Sequence, residues 1–433
     1  LVHRFFYIII PLIVLAAQAF AQSAAKPLSL EDCVRLAQDA QSSISIAGQE
    51  SEIARYGFDR ARAAFFPQVQ LNNAYTYNSP QLHNPEEFSF VALNGIREYN
   101  TQLTAVEELD IFGRLRAQLA RARADRDAAT ASFKLSRRDL KRVVSASFYR
   151  VLLARHLVQS AKDAVAEAQV FATRTQLLFE KGEAARADVF KASSQVAFLE
   201  QSLNSIQLEA EIANHDLASF WTDAVADELI LEDPLSQPVP TLELLLGVAG
   251  GSQPPTQYLQ RPEFSLLEAQ HQGFLADSRQ ARASLLPQAS IVFQYGIDSQ
   301  RWSLGDRGYA AFVNLNIPLF DWFRTRDQVR QFQLKAQQIQ VTREVATRTY
   351  SKEYQDALSR LKSLVRQVSV AENQVKLSEE SLQLSRIRYE GGEGSALEVV
   401  DAQNQLTQAR TNYYTALAGC WNAKIDLEVA TGQ

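Results

Sequence analysis

Cysteine is nearly absent from this 433-residue chain: there are two, together with five histidines and no methionine. Two cysteines cannot staple a disulfide scaffold, and no Cys/His set has the spacing of a zinc site, so no metal ligands and no cofactor are expected. Thirteen prolines and seventeen glycines are too few for a collagen-like or low-complexity chain. Positive charge is not in surplus either. The formal net charge is −5, which argues against nucleic acid as a partner. The histidines form no HExxH pair, and neither a nucleophile elbow nor a phosphate loop occurs, so an enzyme is not expected. Past residue 21 no apolar run is long enough for a membrane helix, so the mature chain could enter a bilayer only as a β-barrel.

What is present begins with an address. His3 and Arg4 precede an apolar run from Phe5 to Ala17, and a small-x-small site ends at Ala21. Residues 1–21 therefore read as a secretory signal peptide. No cysteine follows the cleavage point, so a lipid-anchored N-terminus is not expected.

The rest of the chain is written twice. Phe179-Glu180-Lys181-Gly182-Glu183 returns as Tyr389-Glu390-Gly391-Gly392-Glu393, 210 residues apart (182 and 392), and Gly113-Arg114-Leu115-Arg116 matches Phe323-Arg324-Thr325-Arg326 at the same offset. Residues 28–221 form the first repeat and 263–431 the second, with a proline- and glycine-marked linker at 222–262. Each repeat reads as helix, strand pair, very long helix, tight turn, long helix. In the first repeat Ser29 and Asp32 have the spacing of a capping box, and helix should run up to Pro67.

Period-two alternation predicts strands at about 68–77 and 99–109, and again at about 288–298 and 309–319. Segments of this length, apolar on one face and polar or small on the other, suit a membrane-spanning barrel. The helices announce themselves by heptads. Val144, Val151, Val158, Val165, Ala172 and Phe179 fall every seventh residue, and Tyr354, Leu361, Val368, Val375, Leu382 and Tyr389 fall at the same places in the second repeat. Such ladders predict coiled coils, and a helix from about 112 to 180 would be ~100 Å long at 1.5 Å per residue.

Four strands cannot close a barrel, and an open edge in lipid leaves backbone groups unpaired. The chain must complete its barrel with strands from other copies of itself. Glu108-Leu109-Asp110-Ile111-Phe112-Gly113-Arg114, Pro318-Leu319-Phe320-Asp321 and Arg388-Tyr389-Glu390-Gly391-Gly392-Glu393, on this duplicated plan, resemble the TolC-type outer-membrane efflux channels. The resemblance covers nearly the whole mature chain.

It implies a mostly α, α+β membrane protein: a homotrimer whose 12-stranded β-barrel sits in outer-membrane lipid and continues into a periplasmic α-helical coiled-coil barrel. It also implies a periplasmic adaptor and an inner-membrane pump as partners. The cargo would be small molecules such as drugs, metabolites or metal ions, or a secreted polypeptide. The competing class is a periplasmic coiled-coil adaptor or scaffold without a pore, which would lack two matched strand pairs.

Candidate functional residues follow the same plan. The turns at 181–183 and 390–394, with Gly182, Gly391 and Gly392, should form the periplasmic tip and meet the adaptor, although tight helical hairpins alone would read alike. Glu398 and Asp401 share one helix face just past the second turn. By resemblance they would ring the pore constriction, where three copies favour cations; the alternative is an ordinary solvated face. Asp188 and Tyr389 occupy places that the family gives to a polar lock at the closed tip, but Gly394 stands where its arginine is expected. Tyr389 also fits simple core packing. Tyr75, Tyr77, Tyr99, Trp302 and Tyr309 suggest an aromatic girdle at the membrane interface, against a plain strand-forming preference. Cys420 lies on an apolar ladder and Cys33 in the first helix, so buried filler and a disulfide are both open.

Overall fold

The computed structural model describes residues 27–40, 43–86, 96–237 and 257–432. The expected signal peptide and the middle of the inter-repeat linker lie outside them. Eight or more turns of helix dominate each repeat, and the elements recur in the expected order. Helices α1 (Leu30–Asp39) and α2 (Ser43–Ala63) lead to strands β1 (Gln68–Tyr77) and β2 (Arg97–Leu109), then α3 (Arg114–Glu180) and α4 (Arg186–Ala218). The second repeat gives α5 (Pro262–Ala283), β3 (Gln288–Ser299), β4 (Arg307–Asn316), α6 (Arg324–Glu390) and α7 (Ala396–Thr431). Both long helices, α3 and α6, have 67 residues. Among the described residues no helix is long and apolar enough to cross a membrane.

Three expectations shift. The first helical stretch is two helices and stops at Ala63, with a turn before Pro67. Its capping box is present: Ser29 accepts from the Asp32 N–H at 3.1 Å, and Asp32 accepts from the Ser29 N–H. Strand β4 ends at Asn316 and not at 319, since Pro318 has no N–H for the ladder. It also starts two residues earlier than expected, at Arg307, as β2 does at Arg97.

The chain forms two compact units. One comprises residues 46–135 and 260–349 and holds a four-stranded antiparallel sheet in the order β1-β2-β3-β4. The two hairpins, one from each repeat, meet along β2 and β3, where Gln102 faces Gly296. A side chain at Gly296 would collide with the Thr101 carbonyl, so the close approach requires glycine. Strands β1 and β4 are the two edges, and every residue of both is exposed. Within the same unit Arg121 joins α3 to α5 through Asp277 at 3.1 Å. Burial pushes the Asp277 carboxyl up, against the pull of Arg121.

The other unit comprises residues 1–45, 136–259 and 350–433. Its core is the heptad ladder: Val144, Val151, Leu361 and Val368 are fully buried. The ladder drifts at one end, as a 3.6-residue helix must against a 3.5-residue repeat. Phe179 is exposed and Leu178 takes its place inside, whereas the matching Tyr389 stays buried. Part of the linker is tied to this unit. Leu28 pairs with Leu231, His156 bonds Asp233 at 2.8 Å and stacks on Tyr414, and Arg155 donates to the Leu229 carbonyl at 2.6 Å.

Candidate functional site: the helical tip and the sheet rim

Both descending helices end in the same turn. The Gly182 N–H donates to the Phe179 carbonyl at 2.9 Å and the Glu183 N–H to Leu178 at 2.9 Å; Gly392 to Tyr389 (3.1 Å) and Glu393 to Arg388 (2.9 Å) repeat this. Gly182 and Gly392 carry φ of +81° and +78°, the left-handed cap that favours glycine. Gly391 has no such conformation and is the last residue before the cap. Ser395 then opens α7 by accepting from the Glu398 N–H, while Ala185 opens α4 with no side-chain cap.

The two turns share one apolar cluster, which includes Phe171, Leu178, Ala192, Leu382, Tyr389 and Val399. Tyr389 sets its ring edge-on to Phe171 at 5.2 Å. Thr175 is the polar side chain beside it, but the Thr175 hydroxyl bonds the Phe171 carbonyl, and the buried Tyr389 hydroxyl has no properly aligned hydrogen bond. Burial pushes its phenol up, with the Asp188 charge adding in the same direction. Asp188 is thus a neighbour of Tyr389, yet the two make no hydrogen bond within one chain. Arg174 reaches Glu390 at 3.5 Å and ties the first hairpin to the second.

Glu398 is not a bare carboxylate. Arg388 lies 3.3 Å from it across the turn and also approaches the Glu393 carbonyl. Asp401 forms no ion pair among the described residues. Sequence reading missed this pair, because residues ten apart meet only once the turn's shape is known. It also missed a polar layer further along the helices from the turns, where Arg410 bonds Glu379 at 3.0 Å and, with Arg386, approaches Glu167. Within the same helices Gln403 is buried with neither amide atom bonded.

At the other candidate region, Tyr75, Tyr77, Tyr99, Trp302 and Tyr309 all fall at the end of the sheet where the two hairpins turn. Tyr75 and Tyr99 are cross-strand partners with rings 4.9 Å apart, and Tyr309 stacks on Phe293 at 6.4 Å. Tyr77, Trp302 and Tyr309 are exposed. Cys33 and Cys420 are both buried and free, so no disulfide joins them. Burial raises both thiols, Cys33 to about 12.

A duplicated helical hairpin carrying an edge-open antiparallel sheet defines a class of envelope channel built from repeated halves. The chain belongs to the outer membrane efflux protein family, whose sequence model matches residues 34–222 and 257–433. It is an outer-membrane protein of that family. Its relatives include the cobalt-zinc-cadmium resistance protein CzcC of Cupriavidus metallidurans, 24% identical, with 96% of this chain and 92% of the relative covered. The cation efflux system protein CusC of Escherichia coli K12 is 27% identical over 81% of this chain and 80% of its own. Among solved structures, the CmeC outer membrane channel of Campylobacter jejuni superposes with a TM-score of 0.81 at 17% identity, covering 93% of this chain and 85% of that one.

Proposed function

We propose that three copies of this chain close a 12-stranded barrel in the outer membrane and a continuous helical tube below it, through which cargo leaves the cell. The observation that carries this reading is the pair of open edges. Strands β1 and β4 present unpaired backbone along their whole length, while Ile291, Phe293, Val313 and Leu315 expose apolar side chains beside them. In lipid such edges are tolerable only when paired, and β4 of one copy is the natural partner of β1 in the next. Two matched hairpins joined in one sheet have no use in a scaffold without a pore.

On this reading the turns around Gly182, Gly391 and Gly392 face the periplasm and dock a helical adaptor that couples the tube to an inner-membrane pump. Glu398 and Asp401 line the constriction, Asp188 and Tyr389 contribute to closing it, and the tyrosines with Trp302 mark the outer membrane–water interface. Relatives named for cation efflux and for cobalt, zinc and cadmium resistance favour small solutes, metal ions among them, as cargo. The test is to purify the protein in detergent, measure the mass of the assembly, and record it in planar bilayers. A trimer with discrete conductance steps is expected. Monomeric, electrically silent material would overturn the proposal.

A further inference from the structure

In the unit that holds the sheet, side-chain contacts fix the order of the helices. The Arg126 guanidinium of α3 lies 4.8 Å over the Phe58 ring of α2, Arg121 of α3 bonds Asp277 of α5, and Arg343 of α6 bonds Glu268 of α5 at 3.1 Å. The layer therefore runs α2-α3-α5-α6. Between its inner helices, α3 and α5, a cleft of about 650 Å³ opens over buried Ala124, Phe264 and Ala269. A smaller hollow of about 320 Å³ adjoins it between α2 and α3, lined by Phe58 and Leu119. Ala120 and Arg123 line both. Alanine on each facing helix is what leaves the room.

The charges round the larger cleft do not cancel. Its acids, Asp127 and Glu268, are already engaged: Arg126 holds Asp127 at 2.7 Å, and Glu268 accepts from Arg343 and from Gln272 at 2.9 Å. Arg116, beside the smaller hollow, is held by Asp110 at 2.8 Å. Arg123 and Arg279 form no hydrogen bond or ion pair among the described residues. Their two positive charges stand exposed at the rim of a floor of buried carbon. Duplication does not produce this cluster. The second repeat has Gln333 and Gln337 at the places of Arg123 and Asp127. Aligning Ala61–Gln68 with Ala281–Gln288 puts Asp59 and Gly48 of the first repeat at the places of Arg279 and Glu268.

We propose that the double hollow binds an aromatic organic anion, with its acidic groups on Arg123 and Arg279 and its rings over Ala124, Phe264 and Ala269, toward Phe58 and Leu119. The volume is that of a site for a small organic molecule. A guanidinium matches a carboxylate with its planar fork and also stacks on aromatic faces, so these arginines can hold both parts of such a ligand. An inorganic anion would meet the charge but leave the apolar floor wet, and a neutral ring would forgo the charge-assisted bonds. The site shares no residue with the tip turns and does not depend on how many copies assemble.

The test titrates naphthalene-2,6-dicarboxylate into the full chain in neutral detergent and follows binding by calorimetry, with inorganic phosphate as the comparison. One dicarboxylate per chain is expected, and phosphate should bind far more weakly. Arg123→Gln and Arg279→Gln should each weaken binding about tenfold or more, since each removes a charge-assisted bond. Phe58→Ala should cost roughly threefold through lost ring contact. Arg330→Gln, at an exposed arginine of α6 outside both hollows, should change nothing. All four variants should melt with the parent protein, which separates lost binding from lost fold. Absence of binding at millimolar probe would overturn the site. So would phosphate binding as tightly as the dicarboxylate, or Arg330→Gln costing as much as Arg123→Gln, because either describes a diffuse basic surface. The mass of the same samples keeps this apart from the barrel reading: a trimer that ignores the probe overturns the site alone, and a monomer that binds it overturns the barrel alone.

Discussion

Charge-neutralising substitutions at the tip should invert ion selectivity, not merely weaken it. Glu398, Arg388 and Asp401 contribute −1, +1 and −1 per chain, and the first two are bound to each other. On the proposed constriction, a ring of three copies would then carry three uncancelled carboxylates and not six. At ~8 Å in water a unit charge is worth ~0.5 kcal/mol to a passing ion. Physiological salt screens this to about 0.2 kcal/mol. Three charges favour a monovalent cation by ~0.6 kcal/mol and disfavour an anion equally, a permeability ratio on the order of eight.

Asp401→Asn or Glu398→Gln alone should bring the ratio to about one, because each leaves the ring neutral. The double variant leaves three arginines and should prefer anions by about eightfold, and Arg388→Gln should raise cation preference to roughly sixty. Reversal potentials in planar bilayers under a KCl gradient read all four. A double variant that is merely non-selective, with both single variants still cation-selective, would refute the pairing. Unchanged ratios throughout would refute the ring.

Other outcomes follow from single positions. Gly392→Ala places a Cβ at φ +78° with open space around it, so it should cost about 1 kcal/mol through backbone conformation alone, read as a fall in thermal midpoint; Gly182→Ala should match it. Gln403→Leu removes two unbonded buried amide atoms and should stabilise the protein by ~1–2 kcal/mol; destabilisation would show that assembly supplies Gln403 with a partner. Cys33, with its thiol raised by burial to about 12, should resist alkylation at pH 8 while folded and react after denaturation. Because the folded value lies above the ordinary 9.0, its contribution to stability is complete below pH 9 and is lost as pH climbs toward 12. A Cys33→Ala variant should therefore lose less midpoint between pH 9 and 12 than the parent protein.

The fold was legible because each element obeys a strong period. The strands alternate every second residue, the helices carry sevenfold ladders, and the 210-residue offset repeats both, so strand boundaries came within two or three residues. Errors fell where a local rule overrides period: Pro318 ended β4 early, and the helical drift swapped Phe179 for Leu178. The tip was half legible. Glycines announced the turns, but the Arg388–Glu398 pair depends on how the turn folds back, which no helical spacing encodes. Just before α6, Trp322-Phe323 was visible as letters where the first repeat has Phe112-Gly113, but its left-handed backbone was not.

The two open edges of the sheet belong to different repeats, β1 to the first and β4 to the second, so each junction between neighbours joins unlike surfaces head to tail. A proline inserted in β1 would spoil at least one seam in every ring that admits the altered chain. In a cell making both forms equally, only about one ring in eight would assemble entirely from intact chains. The altered allele would be dominant, a genetic signature of circular closure that a self-sufficient barrel could not produce.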